Sequence, residues 1–326
     1  AELTCEGEGD LATSGVGMAY DVGGRGDQSF NDLAAAALDD ACDNLGITGQ
    51  ELEPTAGGEN REENLRALAE EGYGMVVAVG FAYQDIVAGV PDNPDTEEDE
   101  SKEGVASQFP DTFFAVVDGA IDQPNVVGLV FTEEQGSFLV GAAAALKSQT
   151  GKIGFIGGVE TGLIQKFQAG FEAGVAEINP DAEVIVQYLT QIPDFTGFND
   201  PAKGKEAALA MYDAGADVVY HAAGGSGGGL FEAAKEVSDS TGSQVWAIGV
   251  DSDQINLVDD DLKPYILTSM LKRVDVAVGT AIERFTSGGV SGGETLTFDL
   301  ELGGVDYSTT GGYIDDITSQ LDELKA

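Results

Sequence analysis

Runs of apolar residues alternate with helical patterns along almost the whole chain. Short apolar runs predict strands at 15–20, 75–80, 113–119, 126–131, 152–158, 183–189, 217–223, 244–250 and 265–270. The patterns between them predict helices at 31–45, 59–71, 134–148, 162–178, 203–214, 228–238 and 273–286. Strands that read as continuous apolar runs and alternate with helices are typical of parallel sheets covered on both faces. The pattern therefore predicts an α/β fold.

The composition indicates a folded chain with a strongly acidic surface. Its 326 residues are enough for two domains, and 42% of them are hydrophobic, which is too many for a disordered acidic chain. With 15 Lys and Arg against 58 Asp and Glu, the net charge is −43. Carboxylates spread this densely along the chain repel one another unless salt screens them, and the Debye length falls to about 3 Å at 1 M salt. The charge therefore predicts a protein from a halophile. The scarcity of Lys and Arg argues against nucleic acid or an anionic membrane surface as a partner.

The two cysteines, Cys5 and Cys42, have two interpretations. They are either unrelated thiols or a disulfide. If helix 31–45 returns to the edge where the first strand starts, Cys42 comes close to the N-terminal tail, which predicts a Cys5–Cys42 disulfide. Such a bridge would add about 3 to 4 kcal/mol to the free energy of unfolding by restricting the entropy of the unfolded chain. It would also indicate an oxidising, extracellular location.

Most signatures of common catalytic and metal sites do not occur. The sequence holds a single histidine, His221, at a predicted strand, where a structural role is favoured. It has no H-E-x-x-H, C-x-x-C or G-x-x-x-x-G-K-[ST] motif, and the letters G-x-S-x-G occur only inside glycine-rich stretches, at 224–228 and 289–293. We predict no metal, no cofactor and no catalysis, although an enzyme acting through a pair of carboxylates stays an alternative.

Two glycine-rich turns connect a predicted strand to a predicted helix. In "DVGGRGDQSFN" (21–31), Ser29 stands where a dinucleotide-binding turn needs its third glycine, and Asp27 would repel a pyrophosphate. The turn "AAGGSGGGLFEAA" (222–234) lacks the Gly-Lys-Ser/Thr of a phosphate loop. Open α/β sheets bind ligands at the carboxyl ends of their strands. These turns therefore predict a neutral polar ligand.

Six segments in order resemble the basic membrane protein family of substrate-binding lipoproteins, of the purine nucleoside receptor A type, over roughly residues 14–310. They are "DVGGRGDQSFND", "VGF", "FTEEQGSFLVGAAAAL", "GKIGFIGGVETGLIQKFQAGFEAGV", "GFNDPAKGKEAA", and "VDSDQ" with "ILTSMLKRVDVAV". The resemblance implies a type I periplasmic-binding fold, in which two doubly wound parallel-sheet lobes joined by a three-stranded hinge enclose the ligand. Mapped here, the lobes would be 1–132 plus 264–287 and 133–263 plus 288–326.

The resemblance also implies a function. Family members capture nucleosides outside the cell and deliver them to an ABC permease, so the expected ligand is a purine nucleoside such as guanosine, inosine or adenosine. We expect a monomer anchored to the cell surface by lipid, with the export signal and anchor preceding Ala1. The alternatives are the same fold binding a sugar or other small polar ligand, a sensory receptor, and an enzyme acting on a carbohydrate or nucleoside.

The resemblance assigns roles around the base. Phe30 and Phe198 would stack on its two faces, where stacking contributes about 1 to 3 kcal/mol per base. Asp27 and Asn31 would read its edge, and Ser29 would cap helix 31–45. The alternative for Phe30 is a core residue at the first helical turn.

The sugar side has its own candidates. Asp251 would accept hydrogen bonds from both ribose hydroxyls, or else would cap the helix after it. Lys272 would neutralise Asp251 and donate to the sugar. Four more candidates stand at the ends of predicted strands or in the turns after them: Asp21, Phe81, Glu160 and Gly225.

The sequence departs from the family's pattern in four respects. Its net charge is far more acidic, which we attribute to salt adaptation. The segment "PDNPDTEEDESKEG" (91–104) looks like an inserted, solvated surface loop. The turn after residue 221 is richer in glycine than usual. Cys5 lacks the small-residue context of a lipid-bearing cysteine.

Overall fold

A computed structural model describes residues 3–91 and 101–325. Most of the predicted acidic loop at 91–104 lies outside the described residues. The chain divides into two compact units. Unit 1 comprises Ala1–Gly26, Asn31–Phe131 and Val274–Phe298, and unit 2 comprises Asp27–Phe30, Thr132–Arg273 and Asp299–Ala326.

Strands and helices alternate through most of the chain. The described strands are β1 (Leu3–Cys5), β2 (Gly15–Ala19), β3 (Thr48–Leu52), β4 (Met75–Ala78), β5 (Gly89–Val90), β6 (Lys102–Glu103), β7 (Phe113–Val117), β8 (Val126–Phe131), β9 (Lys152–Glu160), β10 (Glu183–Gln191), β11 (Val218–Ala222), β12 (Trp246–Asp251), β13 (Ile266–Lys272), β14 (Glu294–Phe298) and β15 (Val305–Tyr307). The described helices are α1 (Leu11–Ser14), α2 (Phe30–Leu45), α3 (Arg61–Glu71), α4 (Gln84–Ala88), α5 (Val105–Gln108), α6 (Glu133–Lys147), α7 (Gly162–Ile178), α8 (Pro201–Asp213), α9 (Gly227–Thr241), α10 (Val274–Thr286) and α11 (Thr318–Lys325).

Unit 1 is built on a seven-stranded sheet in the order β1-β3-β2-β4-β7-β8-β14. Every pairing is parallel except that of β1 with β3. The five strands from β3 to β8 follow the 2-1-3-4-5 order of a doubly wound sheet. Its switch point lies between β2 and β4, both of which are fully buried, as is typical of parallel strands in a sheet covered on both faces.

Unit 2 repeats this plan with a six-stranded sheet in the order β10-β9-β11-β12-β13-β15. Only β15 runs antiparallel to its neighbour. The switch point lies between β9 and β11, where open α/β sheets bind ligands. Helices α6 and α7 approach very closely, since a Cβ atom at Gly174 would lie 2.0 Å from the carbonyl oxygen of Phe138.

The structure corrects the predicted division of the chain. We assigned 264–287 to the first lobe, but β13 pairs with β12 in the sheet of unit 2. We assigned 288–326 to the second lobe, but β14 pairs with β8 in the sheet of unit 1. The physical reason is that β13 supplies the fifth parallel strand of its sheet. The segment Asp27–Phe30 also groups with unit 2 rather than with 1–132.

Cys5 and Cys42 form a disulfide with an S–S distance of 2.04 Å and a Cα–Cα distance of 6.0 Å. Cys5 ends the edge strand β1 and Cys42 lies in α2. The bridge therefore ties the N-terminal strand of unit 1 to the first long helix. Among the described residues, no helix combines the length and apolar character that crossing a membrane requires.

Candidate functional site

Polar side chains gather at the carboxyl edge of the sheet in unit 2. Asp251 is the last residue of β12, Lys272 the last of β13 and Glu160 the last of β9. Asp251 stands in register with Leu271, one residue before Lys272. Gly225 lies in the turn that follows β11. Because parallel strands end at the same edge, the fold brings these predicted residues to the ligand-binding side of the sheet.

Asp251 has an unusual backbone conformation. Its φ angle is 63°, in the left-handed region that costs a non-glycine residue roughly 1 kcal/mol or more. Its carboxylate is buried, with the residue 6% exposed, and Oδ2 accepts a hydrogen bond of 2.5 Å from Ser29 Oγ. The conformation fixes the direction of the carboxylate at the end of the strand.

The hydroxyl of Ser29 donates a hydrogen bond to Asp251. Ser29, predicted as the cap of a helix at 31–45, directly precedes α2, which begins at Phe30, and its hydroxyl donates to Asp251 at the end of β12. Ser252 Oγ in turn donates to the carbonyl of Ser29 at 3.3 Å. The alternative role of Asp251 as a helix cap is wrong, because the next helical turn begins at Gln254 with Asp253 before it.

Lys272 is a buried cation, 1% exposed. Its Nζ lies 5.2 Å from the centre of the Phe30 ring and 5.4 Å from that of Phe167, both within cation–π range. It also lies 3.0 Å from Glu133 Oε1. The resemblance implied Asp251 as the partner of this lysine; the ion pair described here is with Glu133.

Glu133 is the carboxylate that sequence reasoning missed. It is the first residue of α6, is fully buried, and contacts Lys166 as well as Lys272. Burial alone would raise its pKa, but the two ammonium groups hold that pKa below its usual value. The only signal in the sequence was a Glu directly after a strand, in "FTEEQ".

Both predicted aromatic candidates are half-buried. Phe30 begins α2, and its ring faces the Lys272 ammonium, which is not the surrounding of a purely apolar core residue. Phe198 lies in the 3-10 turn Phe195–Phe198. Its ring covers Gly158 of β9 so closely that a Cβ atom there would lie 2.4 Å from Phe198 Cδ1. The absence of a side chain at Gly158 thus allows the Phe198 ring to lie this close to β9.

In the glycine-rich turn 21–31, local hydrogen bonds engage the predicted polar residues. Within unit 1, Asp21 Oδ1 accepts from Arg61 Nε at 2.7 Å, and Asn31 Oδ1 accepts from the backbone N–H of Asp21 at 3.1 Å. Within unit 2, Asp27 Oδ1 accepts from the N–H of Ser29 at 2.9 Å. Asp21 is therefore primarily an ion-pair partner of Arg61.

Two further candidates occupy strand ends. Phe81 begins a 3-10 turn three residues after β4, in unit 1, and is half-buried. Glu160 is exposed at the end of β9, and its Oε2 accepts a hydrogen bond of 2.8 Å from Gln191 Nε2. Glu160 thus lies at the predicted edge of unit 2 but faces solvent.

The contacts of His221 give it a structural role. It is fully buried in β11, and its Nε2 lies 3.0 Å from Gln254 Oε1, which also accepts from the N–H of Val250. Nε2 therefore carries the proton. Gln254 Nε2 donates to the carbonyl of Gln28 at 3.0 Å, so this network holds the segment Asp27–Phe30. Burial lowers the pKa of His221 to about 4.

We expect acid to destabilise the protein through His221. Between pH 6.5 and pH 4 the unfolded chain binds a proton that the folded chain does not, so the free energy of unfolding falls as pH decreases, by about 3 kcal/mol. Urea unfolding of the wild type and of His221→Gln at several pH values measures this difference. Parallel losses in both proteins, or an NMR titration of the sole imidazole near pH 6.5, would contradict it.

Comparison with known proteins places the chain in a family. Residues 15–324 match the family described as "ABC transporter substrate-binding protein PnrA-like". A CD4+ T-cell-stimulating antigen of Listeria innocua is 35% identical, covering 95% of this chain and 84% of that protein. The ABC transporter nucleoside-binding protein BmpA of Lactococcus lactis is 32% identical, covering 94% of this chain and 83% of that protein.

A solved structure agrees with the sequence comparisons. The solute-binding protein of an ABC transporter system from Aeropyrum pernix superposes with a TM-score of 0.78 at 29% identity, covering 95% of this chain and 90% of that chain. The predicted α/β periplasmic-binding fold and the predicted family are confirmed. The chain belongs to the PnrA-like family of ABC transporter substrate-binding proteins.

Proposed function

We propose that this protein captures a purine nucleoside for an ABC importer, with the base against Phe30 and Phe198 and the ribose at Asp251 and Lys272. The observation that carries the proposal is Asp251, a buried carboxylate held in a left-handed conformation at the carboxyl edge of the sheet. The nucleoside-binding name of the Lactococcus relative supports the same ligand class.

The polar groups suit a sugar with adjacent hydroxyls. A carboxylate offers about four acceptor positions, and Ser29 uses one of those on Asp251. We propose that the carboxylate of Asp251 also accepts from the ribose hydroxyls, while the Lys272 ammonium donates to a hydroxyl oxygen. Asp251, Glu133 and Glu134 supply three carboxylates against the two ammonium groups of Lys272 and Lys166, so the site has no excess positive charge for a phosphate.

The base requires a flat apolar surface, and Phe198 supplies one. We expect Phe198→Leu to weaken nucleoside binding about tenfold, because leucine preserves apolar packing on Gly158 but lacks a ring for stacking. Phe198→Tyr keeps the ring and is the matched control. Calorimetric titration measures both. Equal affinity of Phe198→Leu and the wild type would remove Phe198 from the site.

The ligand class is tested by thermal shift in high salt. Guanosine, inosine and adenosine should each be compared with ribose, arabinose and glucose. A rise in melting temperature with at least one nucleoside, and none with the sugars, supports the proposal. Stabilisation by a sugar alone would replace the nucleoside by the alternative ligand.

We further propose that the protein acts without catalysis, as a monomer outside the cell, attached by a lipid. The Cys5–Cys42 disulfide supports an oxidising compartment. Incubation with nucleosides followed by chromatography should return the nucleosides intact. Release of free base would favour the enzyme alternative.

A further inference from the structure

Lys272 carries its charge in a place where a lone charge is costly. Burial of an ammonium without compensation disfavours the charged form strongly. The two aromatic rings compensate only in part, since each cation–π contact contributes about 0.5 to 2 kcal/mol. The carboxylate of Glu133, 3.0 Å away, is the strong counter-charge that the described contacts supply.

Glu133 is itself held on two sides. Oε1 contacts Lys272 of β13 and Oε2 contacts Lys166 of α7, so the two oxygens have different partners. Its place in the first turn of α6 adds the favourable field of a helix N-terminus. The carboxylate is therefore fixed in position.

We propose that Glu133 is a positioning residue for ligand binding: it bridges Lys166 and Lys272 and holds the Lys272 ammonium charged and aimed beside the Phe30 ring. This inference rests on the proposed function of Lys272 as a ligand-binding residue. Glu133 acts through Lys272 and touches no ligand itself.

Charged and titratable side chains from neighbouring elements surround Glu133 and Lys272. Lys166 of α7 contacts Glu133 directly. Tyr220 of β11 is close enough to feel the charges of both Asp251 and Glu133, and its hydroxyl lies 3.2 Å from Ser137 Oγ. Burial is the main cause that raises the pKa of Tyr220, and the charges of these two carboxylates raise it further. The Tyr220 hydroxyl therefore stays neutral. Lys272 and Lys166 thus both contact Glu133, and the carboxylate of Glu134 lies 3.6 Å from Lys166.

The test compares Glu133→Gln with Glu134→Gln. Glu134 lies one residue further along α6, and its carboxylate is 3.6 Å from Lys166, so the control removes the same charge. We expect Glu133→Gln to weaken nucleoside binding about 10- to 100-fold and Glu134→Gln to leave it unchanged. The affinity of Glu133→Gln should also fall more steeply than that of the wild type as pH rises above neutral, because its Lys272 loses the proton more easily.

A double variant separates positioning from general stability. If Glu133 acts through Lys272, Glu133→Gln combined with Lys272→Met should bind no more weakly than Lys272→Met alone. Additive losses, or wild-type affinity with a flat pH profile in Glu133→Gln, would overturn the inference. The double variant carries no unpaired Lys272 charge, so it serves also if the single variant does not fold.

A readout without ligand keeps this inference distinct from the proposed function. In protein labelled with ¹³C at the lysine ε-carbon, Lys272→Met identifies the Lys272 signal in the wild type. Glu133→Gln should then lower the pKa of Lys272 relative to the wild type, and Glu134→Gln should not. An unchanged Lys272 pKa would overturn the inference, whereas wild-type protein that binds no nucleoside would overturn the proposed function alone.

Discussion

Replacing Asp251 with Asn lowers the affinity for a purine nucleoside about 100-fold, or about 3 kcal/mol, on our account. The charged hydrogen bonds from the ribose hydroxyls are lost, while an amide oxygen can still accept from Ser29. Asn tolerates the left-handed conformation that Asp251 adopts at φ 63°, so the fold should remain. Calorimetric titration with inosine or guanosine measures the change.

The choice of substitution matters for the interpretation of this result. Asp251→Ala also abolishes the carboxylate but places alanine in the left-handed region, so it lowers stability as well as affinity. Asp259→Asn, on the exposed segment after the site, removes the same charge and is the control. Wild-type affinity in Asp251→Asn would remove Asp251 from the site.

Removing the Cys5–Cys42 bridge has the largest expected effect on stability. The cysteines are 37 positions apart, and freeing that loop in the unfolded chain costs about 3 to 4 kcal/mol of unfolding free energy. Chemical unfolding of Cys5→Ser combined with Cys42→Ser, measured in high salt, should show this loss. The same double variant should no longer respond to reductant.

Two results would contradict the disulfide prediction. One is titration of two free thiols in the unfolded, non-reduced wild type. The other is a double variant as stable as the wild type. The single variants Cys5→Ser and Cys42→Ser should each lose about as much as the pair, because either removes the bridge.

Apolar runs predicted the strands that are buried on both faces, and glycine-rich turns predicted the edge at which we propose that the ligand binds. The exception is β3, with the sequence "TGQEL". Its buried polar side chains have specific partners: Tyr73 donates to Gln50 at 2.7 Å, and the N–H of Gly7 donates to Thr48 at 3.0 Å. Such pairing depends on tertiary contacts, so no local pattern predicts it.

The site shows the same limit. Asp251 and Lys272 stood out because a carboxylate and a rare cation end predicted strands. Glu133 did not stand out, since its place after a predicted strand is a weak signal for one carboxylate among 58 Asp and Glu until the fold brings two lysines to it. The left-handed conformation of Asp251 was equally hidden, because the sequence gives no glycine there.

The most direct test of the central claim is calorimetric titration of the wild type, in high salt, with guanosine, inosine and adenosine and in parallel with ribose. The account predicts saturable one-to-one binding of at least one nucleoside and far weaker binding of ribose, because only the nucleoside offers a base to Phe198 and Phe30. Binding of ribose as tight as that of any nucleoside, or no binding of the three nucleosides, would contradict it.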